Sequence, residues 1–592
     1  MLQASLTVYQ DLLHQYREEA KNNKRQLTGI SILRVLLFLL FAWFLYASIK
    51  ERFSGNDLAY AIFFILGFLV SVSRAEVVKK KNAFLQQLIL INENEINVCK
   101  GLPSFLDDGA SFATAKGFTA DLSVFGKYSL FQLVNRTGSL SGKQALFFRL
   151  SNPFTDAKSI QNYQACLREL AGKTGFIQSL LAHTLLLKEA EALPALQSEI
   201  PAGKFTELTN RFWSILATAW PVTGAVLVIF SVWKDNYRPL IAFGILGLFL
   251  LSFVFRKTTA LYRQISKRSY LYGQYAICFR LITAESFVHP YLIQKQEEIS
   301  EAAGAFQRLS KLSGLFDLRL NLFSFLINGL FLFELLCARA YLSWNRQNQG
   351  HLKNWFATMG EFELLHSLAT FHFNHPSFIF PELVTDRLVI RASALGHPLM
   401  KENEAVKNDV SIGDTSKLHL ITGSNMSGKS TFLRTLGMNM ILAQSGAPVF
   451  AKSFEFHPVR LLTSFHHIDS LEESTSYFYA ELKCLREIIE SLTAPVPAMV
   501  LLDEVMRGTN SQDKHDGTAL LIKKILRYPC LTFIATHDIE LGILAQSYPG
   551  QIENFCFESE LTENSMHFDF TMRRGVAQTK NATYLMKQMG II

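Results

Sequence analysis

The sequence predicts a multidomain protein. Two apolar helical hairpins cross a membrane, long helices lie on one side of it, and one α/β domain is built around a phosphate-binding loop. Three observations predict this. The first is residues 418–431, LHLITGSNMSGKST, a partly β-branched strand running into a glycine-bounded loop and then a helix. The second is two pairs of uniformly apolar stretches, 29–49 with 58–73 and 212–233 with 239–255, each pair joined by a short polar connection. The third is composition: 49% of the 592 residues are hydrophobic, 49 of them Phe, yet 18% are charged, so apolar material is concentrated in places. A chain this long exceeds one core and calls for roughly two to four domains.

In order, residues 1–25 are polar and helix-prone, with Arg17, Lys21, Lys24 and Arg25 near the end. They are too many and too charged for the first part of a cleaved signal peptide. From 35 to 49 the chain is almost unbroken Leu, Phe, Ala, Trp and Tyr. The partner stretch 58–73 would span only about 24 Å as a helix, short of a hydrocarbon core of about 30 Å. Flanking residues or local thinning must supply the rest. Arg74, Lys79, Lys80 and Lys81 close this hairpin, and Arg256, Lys257, Arg263, Lys267 and Arg268 follow the second. Basic residues at these edges place 1–25, the segment between the hairpins and everything after 256 on the cytoplasmic side. The expected setting is therefore the inner (cytoplasmic) membrane, with membrane lipid as a partner. Two buried core hairpins are the alternative, and the uniformity of the runs argues against it.

A fifth apolar stretch, 320–338, carries Asn321, Asn328 and Glu334. A single extra crossing would move the phosphate loop to the opposite side, so a buried soluble helix is expected here. Residues 83–98 read as an amphipathic helix, 158–199 as largely helical, 262–312 as a long helical pattern and 354–373 as another helix; 376–381 is a proline-marked break. The expected segments are 1–100 with the first hairpin, 101–210, the second hairpin within 211–257, 258–385, and a nucleotide domain over 386–592. The net charge of +8 permits an anionic partner, nucleic acid or lipid headgroup, and selects neither. Seven scattered cysteines without a C-x-x-C indicate neither a disulfide framework nor a zinc site, and fit a reducing compartment.

The loop reads G-x-x-x-x-G-K-[ST]. Gly423 and Gly428 let the backbone of Ser424, Asn425, Met426 and Ser427 turn its N–H groups onto phosphate oxygens. Lys429 brings a charge to the β- and γ-phosphates, and the Ser430 hydroxyl can ligate Mg²⁺. Thr431 begins a helix, to 440, whose positive end points at the same phosphates. Downstream, the apolar run 498–502 ends in Asp503-Glu504, where one carboxylate can hold Mg²⁺ and the next can polarise an attacking water. Alone that signal is weak. Arg507-Gly508-Thr509-Asn510 is a small-residue loop just beyond. The strand 530–536 ends in His537-Asp538, and His537 is a candidate sensor of the γ-phosphate. Residues 469–481 supply a Ser-rich turn opening a helix over 476–492, whose N-terminus can take a phosphate from a neighbouring subunit.

This order of motifs resembles the ATPase domain of the DNA mismatch-repair MutS family, itself related to ABC-type ATPases. TGSNMSGKST at 422–431 is close to the family's T-G-P-N-M-x-G-K-S-T, LAQSGAPVFA at 442–451 resembles L-A-Q-x-G-x-x-V-P-A, and 502–510 and 535–537 match D-E-x-x-R-G-T and A-T-H. Residues 119–153 and 360–369 look like the two ends of its lever region, and the likeness covers most of 101–592. The fold class implied is multidomain: helical transmembrane hairpins and an α-helical lever region plus an α/β P-loop (ABC-like) ATPase domain. The resemblance implies that Gly423, Lys429 and Ser430 bind the phosphates and Mg²⁺ of ATP. It also implies that Asp503 holds Mg²⁺, Glu504 activates water, His537 senses the γ-phosphate, and Ser476 acts across a homodimer.

Five departures stand out. The mismatch-reading domain with its Phe-x-Glu wedge is missing, and a hairpin occupies that end. The second hairpin lies where the family inserts its DNA clamp. Ser474 replaces the glycine of the Ser-rich turn. The chain stops at Ile592 without the family's dimerising helices, and Ala405 and Val406 offer no aromatic where the family stacks adenine. The expectation is a membrane-anchored ATPase acting as a dimer and coupled to mismatched or branched DNA. The alternative is ATP-driven membrane remodelling or signalling with no DNA role. A transporter is disfavoured, because the apolar helices offer few polar residues for a path.

Overall fold

In the computed structural model, the residues described are 2–50, 55–114, 116–187, 205–320, 324–414, 416–424, 426–465, 477–561 and 566–578. The chain is mostly helical up to Asn374 and mixed α/β after it. Helix α1 (Leu2–Lys50) carries the polar N-terminal stretch and the first apolar run as one rod of 49 residues, and α2 (Gly55–Cys99) returns antiparallel to it. The sixteen apolar residues at 58–73 are thus part of a 45-residue helix, which continues through the basic flank into the amphipathic stretch at 83–98.

The far ends of both rods are fixed to the helical body by a buried polar network. Arg136 Nε and Nη2 donate to the two oxygens of Glu95 at 2.6 and 3.0 Å. Asn374 Nδ2 donates to the same carboxylate at 2.6 Å, and Asn374 Oδ1 accepts from Tyr9 Oη at 2.7 Å. The ion pair is almost completely buried, and breaking such a pair costs far more than forming it gains.

Helices α3 (Leu140–Ser151), α4 (Ala157–Ala171) and α5 (Thr174–Leu185) follow. Ser139 caps α3, with its hydroxyl accepting from Gly142 N, and Asp156 caps α4 through Ser159 N. The stretch 158–199, expected to be largely helical, holds two helices as far as Leu185, and 188–199 lie outside the described residues. The second apolar pair forms α6 (Arg211–Lys234) and α7 (Arg238–Ile265), with Asp235 in the left-handed region at the turn. The long helical pattern expected over 262–312 is broken. After α7 ends, Lys267 takes φ +60°, α8 runs Ser269–Ala284, a short helix Pro290–Glu297 intervenes, and α9 covers Ala302–Asp317.

The stretch at 320–338 departs from the single buried soluble helix expected of it. It holds α10 (Ser324–Phe331) and the start of α11 (Phe333–Asn374), bent by 75° at Leu332, which has φ +47°. Phe325, Leu326 and Ile327 are exposed. Helix α11 then runs 42 residues without a break, roughly 63 Å, and includes the predicted helix at 354–373. Among the described residues, four helices, α1, α2, α6 and α7, are long and apolar enough to cross a membrane, and the bent pair α10–α11 passes the same test taken together.

The α/β part holds two sheets. One is small, with β1 (Glu382–Leu383), β2 (Ile390–Leu395), β3 (Asn408–Ile412) and β5 (Ser453–Phe456) in the order β1-β5-β2-β3. The other contains β4 (Leu418–Gly423), β6 (Arg460–Ser464), β7 (Ala498–Asp503), β8 (Cys530–Thr536), β9 (Ile552–Leu561) and β10 (Met566–Arg574), in the order β10-β9-β4-β8-β7-β6. Its pairs are parallel except β9 with β10. Every residue of β4, β7 and β8 is buried, as expected of central parallel strands covered on both faces. Helices α12 (Lys429–Gln444), α13 (Tyr477–Ser491) and α14 (Ser511–Ile525) complete the layers.

Candidate nucleotide site

Register brings the site together. Thr422 of β4 pairs with Thr536 of β8, and Asp503 of β7 pairs with Ala535. The carboxyl ends of β4, β8 and β7 therefore lie side by side, the edge where parallel α/β sheets bind ligands. From β4 the chain passes into the loop and on to α12, capped by Gly428. Gly428 has φ +107°, and a Cβ there would come 3.1 Å from the Phe570 ring. A Cβ on Gly423 would meet Phe557 O at 2.7 Å and Ser427 Oγ at 2.8 Å. Between them Met426, at φ +67°, forms an exposed tip, while Ser427 Oγ is buried without a hydrogen-bond partner among the described residues.

Lys429 is buried, and its Nζ donates to the carbonyls of Gly423 and Ser424 at 2.7 and 2.8 Å. Burial pushes its ammonium below the usual lysine range, against the pull of Glu504 and Asp503. Ser430 is half-buried and Thr431 exposed in the first turn of α12.

After β7 the backbone twists sharply. Glu504 has φ +51° and Met506 φ +62°, conformations that cost energy for non-glycine residues and gather at functional sites. Glu504 N donates to Ala535 O at 2.8 Å, which pins the turn to β8. The carboxylate of Glu504 lies 3.5 Å from His537 Nδ1 and 2.7 Å from Arg507 Nη2. The hydrogen bond from His537, helped by the charges of Arg507 and Lys429, holds the Glu504 carboxyl down at about 2 in spite of burial. His537 is half exposed, and its Nε2 lies 3.3 Å from Lys514 Nζ on α14. Asp503 is buried, and among the described residues neither of its oxygens has a hydrogen-bond partner. An orphaned buried carboxylate of this kind fits a hard divalent cation, which satisfies both charge and lone pairs.

Residues 419–591 match the family model of MutS domain V. The C-terminal part of this chain is similar to MutS domain V. That domain is the ATPase domain of MutS-family proteins. Similar curated proteins include "MutS protein homolog 4" of Homo sapiens, 29% identical over 214 residues, which cover 34% of this chain and 22% of that protein. "DNA mismatch repair protein MutS" of Thermotoga neapolitana is 36% identical over 178 residues, 29% of this chain and 22% of the relative. The protein of the same name from Prochlorococcus marinus is 32% identical over 213 residues, 35% of this chain and 22% of the relative. The match thus spans about a fifth of the length of these relatives.

Within the matched region, the structure brings Gly423, Ser424, Met426, Ser427, Gly428, Lys429, Ser430 and Thr431 into one loop and helix start. Asp503, Glu504 and His537 stand at the neighbouring strand ends. Asn425, Ser476, Ser474 and most of the Ser-rich turn lie outside the described residues. Sequence reasoning assigned no role to Arg507, Lys514 or Phe570. Arg507 was visible as the basic residue of the small loop. Phe570 had no local signal: it sits at φ +52° where the β9–β10 register shifts, far along the chain from the glycine it covers.

Proposed function

We propose that this chain is a membrane-anchored, MutS-like ATPase that binds ATP with Mg²⁺ and hydrolyses it as a homodimer. The observation that carries the reading is the meeting of Lys429, Asp503, Glu504 and His537 at one sheet edge. In this reading the loop from Gly423 to Thr431 wraps the phosphates and Lys429 neutralises their charge. Asp503 and Ser430 would hold Mg²⁺, which would supply positive charge to stabilise the anion that builds up during phosphoryl transfer. Glu504 takes the proton of the attacking water. Its low pKa keeps it ionised, and His537 keeps it oriented. The exposed Phe570 ring beside Gly428 serves as a platform for adenine, in place of the aromatic missing at Ala405 and Val406. Ser476 acts on the partner's nucleotide.

The hairpins α1–α2 and α6–α7 anchor the chain in the inner membrane with the ATPase on the cytoplasmic side. Long helices connect the two parts, α11 above all. Relatives named for DNA mismatch repair support coupling to mismatched or branched DNA. The alternative, membrane remodelling or signalling without DNA, draws on the hairpin that stands where the family inserts its clamp. Hydrolysis by detergent-solubilised protein, with and without mismatched and branched DNA, separates the two. Stimulation that vanishes at high salt supports the DNA reading, since phosphate contacts release counterions. Hydrolysis that requires Lys429 yet ignores every DNA moves the assignment to the membrane reading.

A further inference from the structure

The 75° break at Leu332 sits within the second hairpin, and the residues around it show how the chain enters and leaves. Arg319, ahead of α10, donates from Nη2 to Thr259 Oγ1 at 2.9 Å and lies over the rings of Phe255 and Tyr262. Glu334, at the start of α11, accepts from Thr258 Oγ1 at 3.2 Å. Entry and exit are therefore tied to adjacent residues of α7, at one level of that helix. Arg319 and Glu334 also pair with each other, at 3.0 Å, and both are largely buried. Asn328 spans the break, accepting from Glu334 N at 2.9 Å and donating to Glu334 Oε1 at 3.2 Å.

The tip of α10 lies much further along. Trp220 Nε1 of α6 donates to Gly329 O at 3.0 Å, and Trp220 stacks on Phe243 of α7 with centroids 4.0 Å apart. A Cβ on Gly247 would collide with Gly329 O, one on Gly224 with Leu330 O, and one on Gly329 with Gly244 O. Three backbones thus touch through glycines, the packing that lets helices approach closely in lipid. Trp220 is nine residues from Arg211, and Gly247 nine from Arg256. Nine residues of helix are about 14 Å, near the middle of a core about 30 Å thick.

We infer that α10 is a re-entrant wedge: it dips into the bilayer from the ATPase side, stops at mid-depth between α6 and α7, and returns through α11 without crossing. The inference rests on the membrane reading of that hairpin. Its eight residues span about 12 Å, too short to cross. The occupant of its outer face is the acyl region of the bilayer. Phe325, Leu326 and Ile327 are exposed there, as are apolar side chains of the α6 and α7 helices it packs against, such as Val222, Val226, Ile241 and Ile245. The Arg319–Glu334 pair closes the base, where the charges reach the interface. The wedge keeps the ATPase domain on the side of the basic flanks. It is also where the unbroken α11 rod grips the membrane part.

Single cysteines added at Asn236, Arg308, Leu326 and Arg346 of the full chain in sealed proteoliposomes test this. Each is read on its own peptide after a membrane-impermeant maleimide is applied from one side, and Leu326→Cys also by the quenching of an attached dye by lipid-borne quenchers. The expected result is Arg308→Cys and Arg346→Cys labelled from the ATPase side, Asn236→Cys only from the other, and Leu326→Cys unlabelled from either side but quenched in lipid. Gly247→Leu should displace the wedge, expose Leu326→Cys to the ATPase side, and leave Asn236→Cys unchanged. Arg308→Cys and Arg346→Cys on opposite sides would show a full crossing and overturn the wedge alone. So would Leu326→Cys labelled from the ATPase side in the parent chain. Asn236→Cys on the ATPase side would overturn the membrane reading and the wedge with it.

Discussion

Strand β7 and helix α6 are both strongly apolar, and they meet opposite fates. All six residues of β7 are buried and end in a charged pair at the sheet edge. On α6, Val222, Val226, Ile229 and Trp233 are between 60 and 74% exposed. The sheet turns hydrophobicity into a rigid edge that holds Lys429, Asp503 and Glu504 in register. The hairpins keep much of theirs on the outside, where Val, Ile, Leu, Phe and Trp side chains stand uncovered by the rest of the described residues. Apolar composition alone separates neither case. What separates them is whether other elements cover the residues.

Substitutions at the site and in the helical part should sharpen that contrast. The largest effects belong to the sheet edge. Glu504→Gln should lower ATP turnover by about 10²–10⁴-fold while ATP still binds, whereas Lys429→Ala should lose both. Phosphate release and nucleotide binding measured on the same preparations check this, and neither change should alter partition into lipid. Next is the network joining the rods to the helical body. Arg136→Met leaves Glu95 buried and uncompensated, and should cost about 3–5 kcal/mol in a denaturant or thermal melt. If that cost is absent, the two rods are not held by this network.

A smaller effect is pH-dependent. Burial, with the charge of Arg574, pushes the His419 imidazole on β4 down to about 3. The neutral form is thus favoured in the folded state, so stability is full above the unfolded value of about 6.5 and falls as pH drops below it, by up to about 1.4 kcal/mol per pH unit. His419→Leu should flatten that acid limb in melts between pH 6.5 and 4. The smallest effect is at Phe570. Its change to Ala should weaken ATP binding by about 1 kcal/mol, the scale of an aromatic stacking contact, and leave turnover at saturating ATP unchanged.

The site was legible because its chemistry is local. A loop between a strand and a helix, and carboxylates at a strand end, are each written within a few residues. Contacts distant in sequence were not. Arg136 meets Glu95 across 41 residues, and nothing near either announces the pair. The break at Leu332 was hidden because no glycine or proline occupies that position; the turn is imposed by Asn328, Glu334 and the glycines of the neighbouring helices. The separate helices α8 and α9 were merged for the same reason, their apolar spacing running on across the gaps. The hairpin positions were legible as runs, but α1 and α2 extend well beyond them, because amphipathic sequence continues each helix without a stop signal.

The most direct test of the account is ATP hydrolysis by the full chain reconstituted with lipid and separated by flotation, beside Lys429→Ala. The account predicts hydrolysis that floats with the lipid, survives alkaline extraction of the vesicles and disappears in Lys429→Ala. Lys429-dependent hydrolysis left behind in the aqueous fraction, with no protein in the lipid, would contradict it.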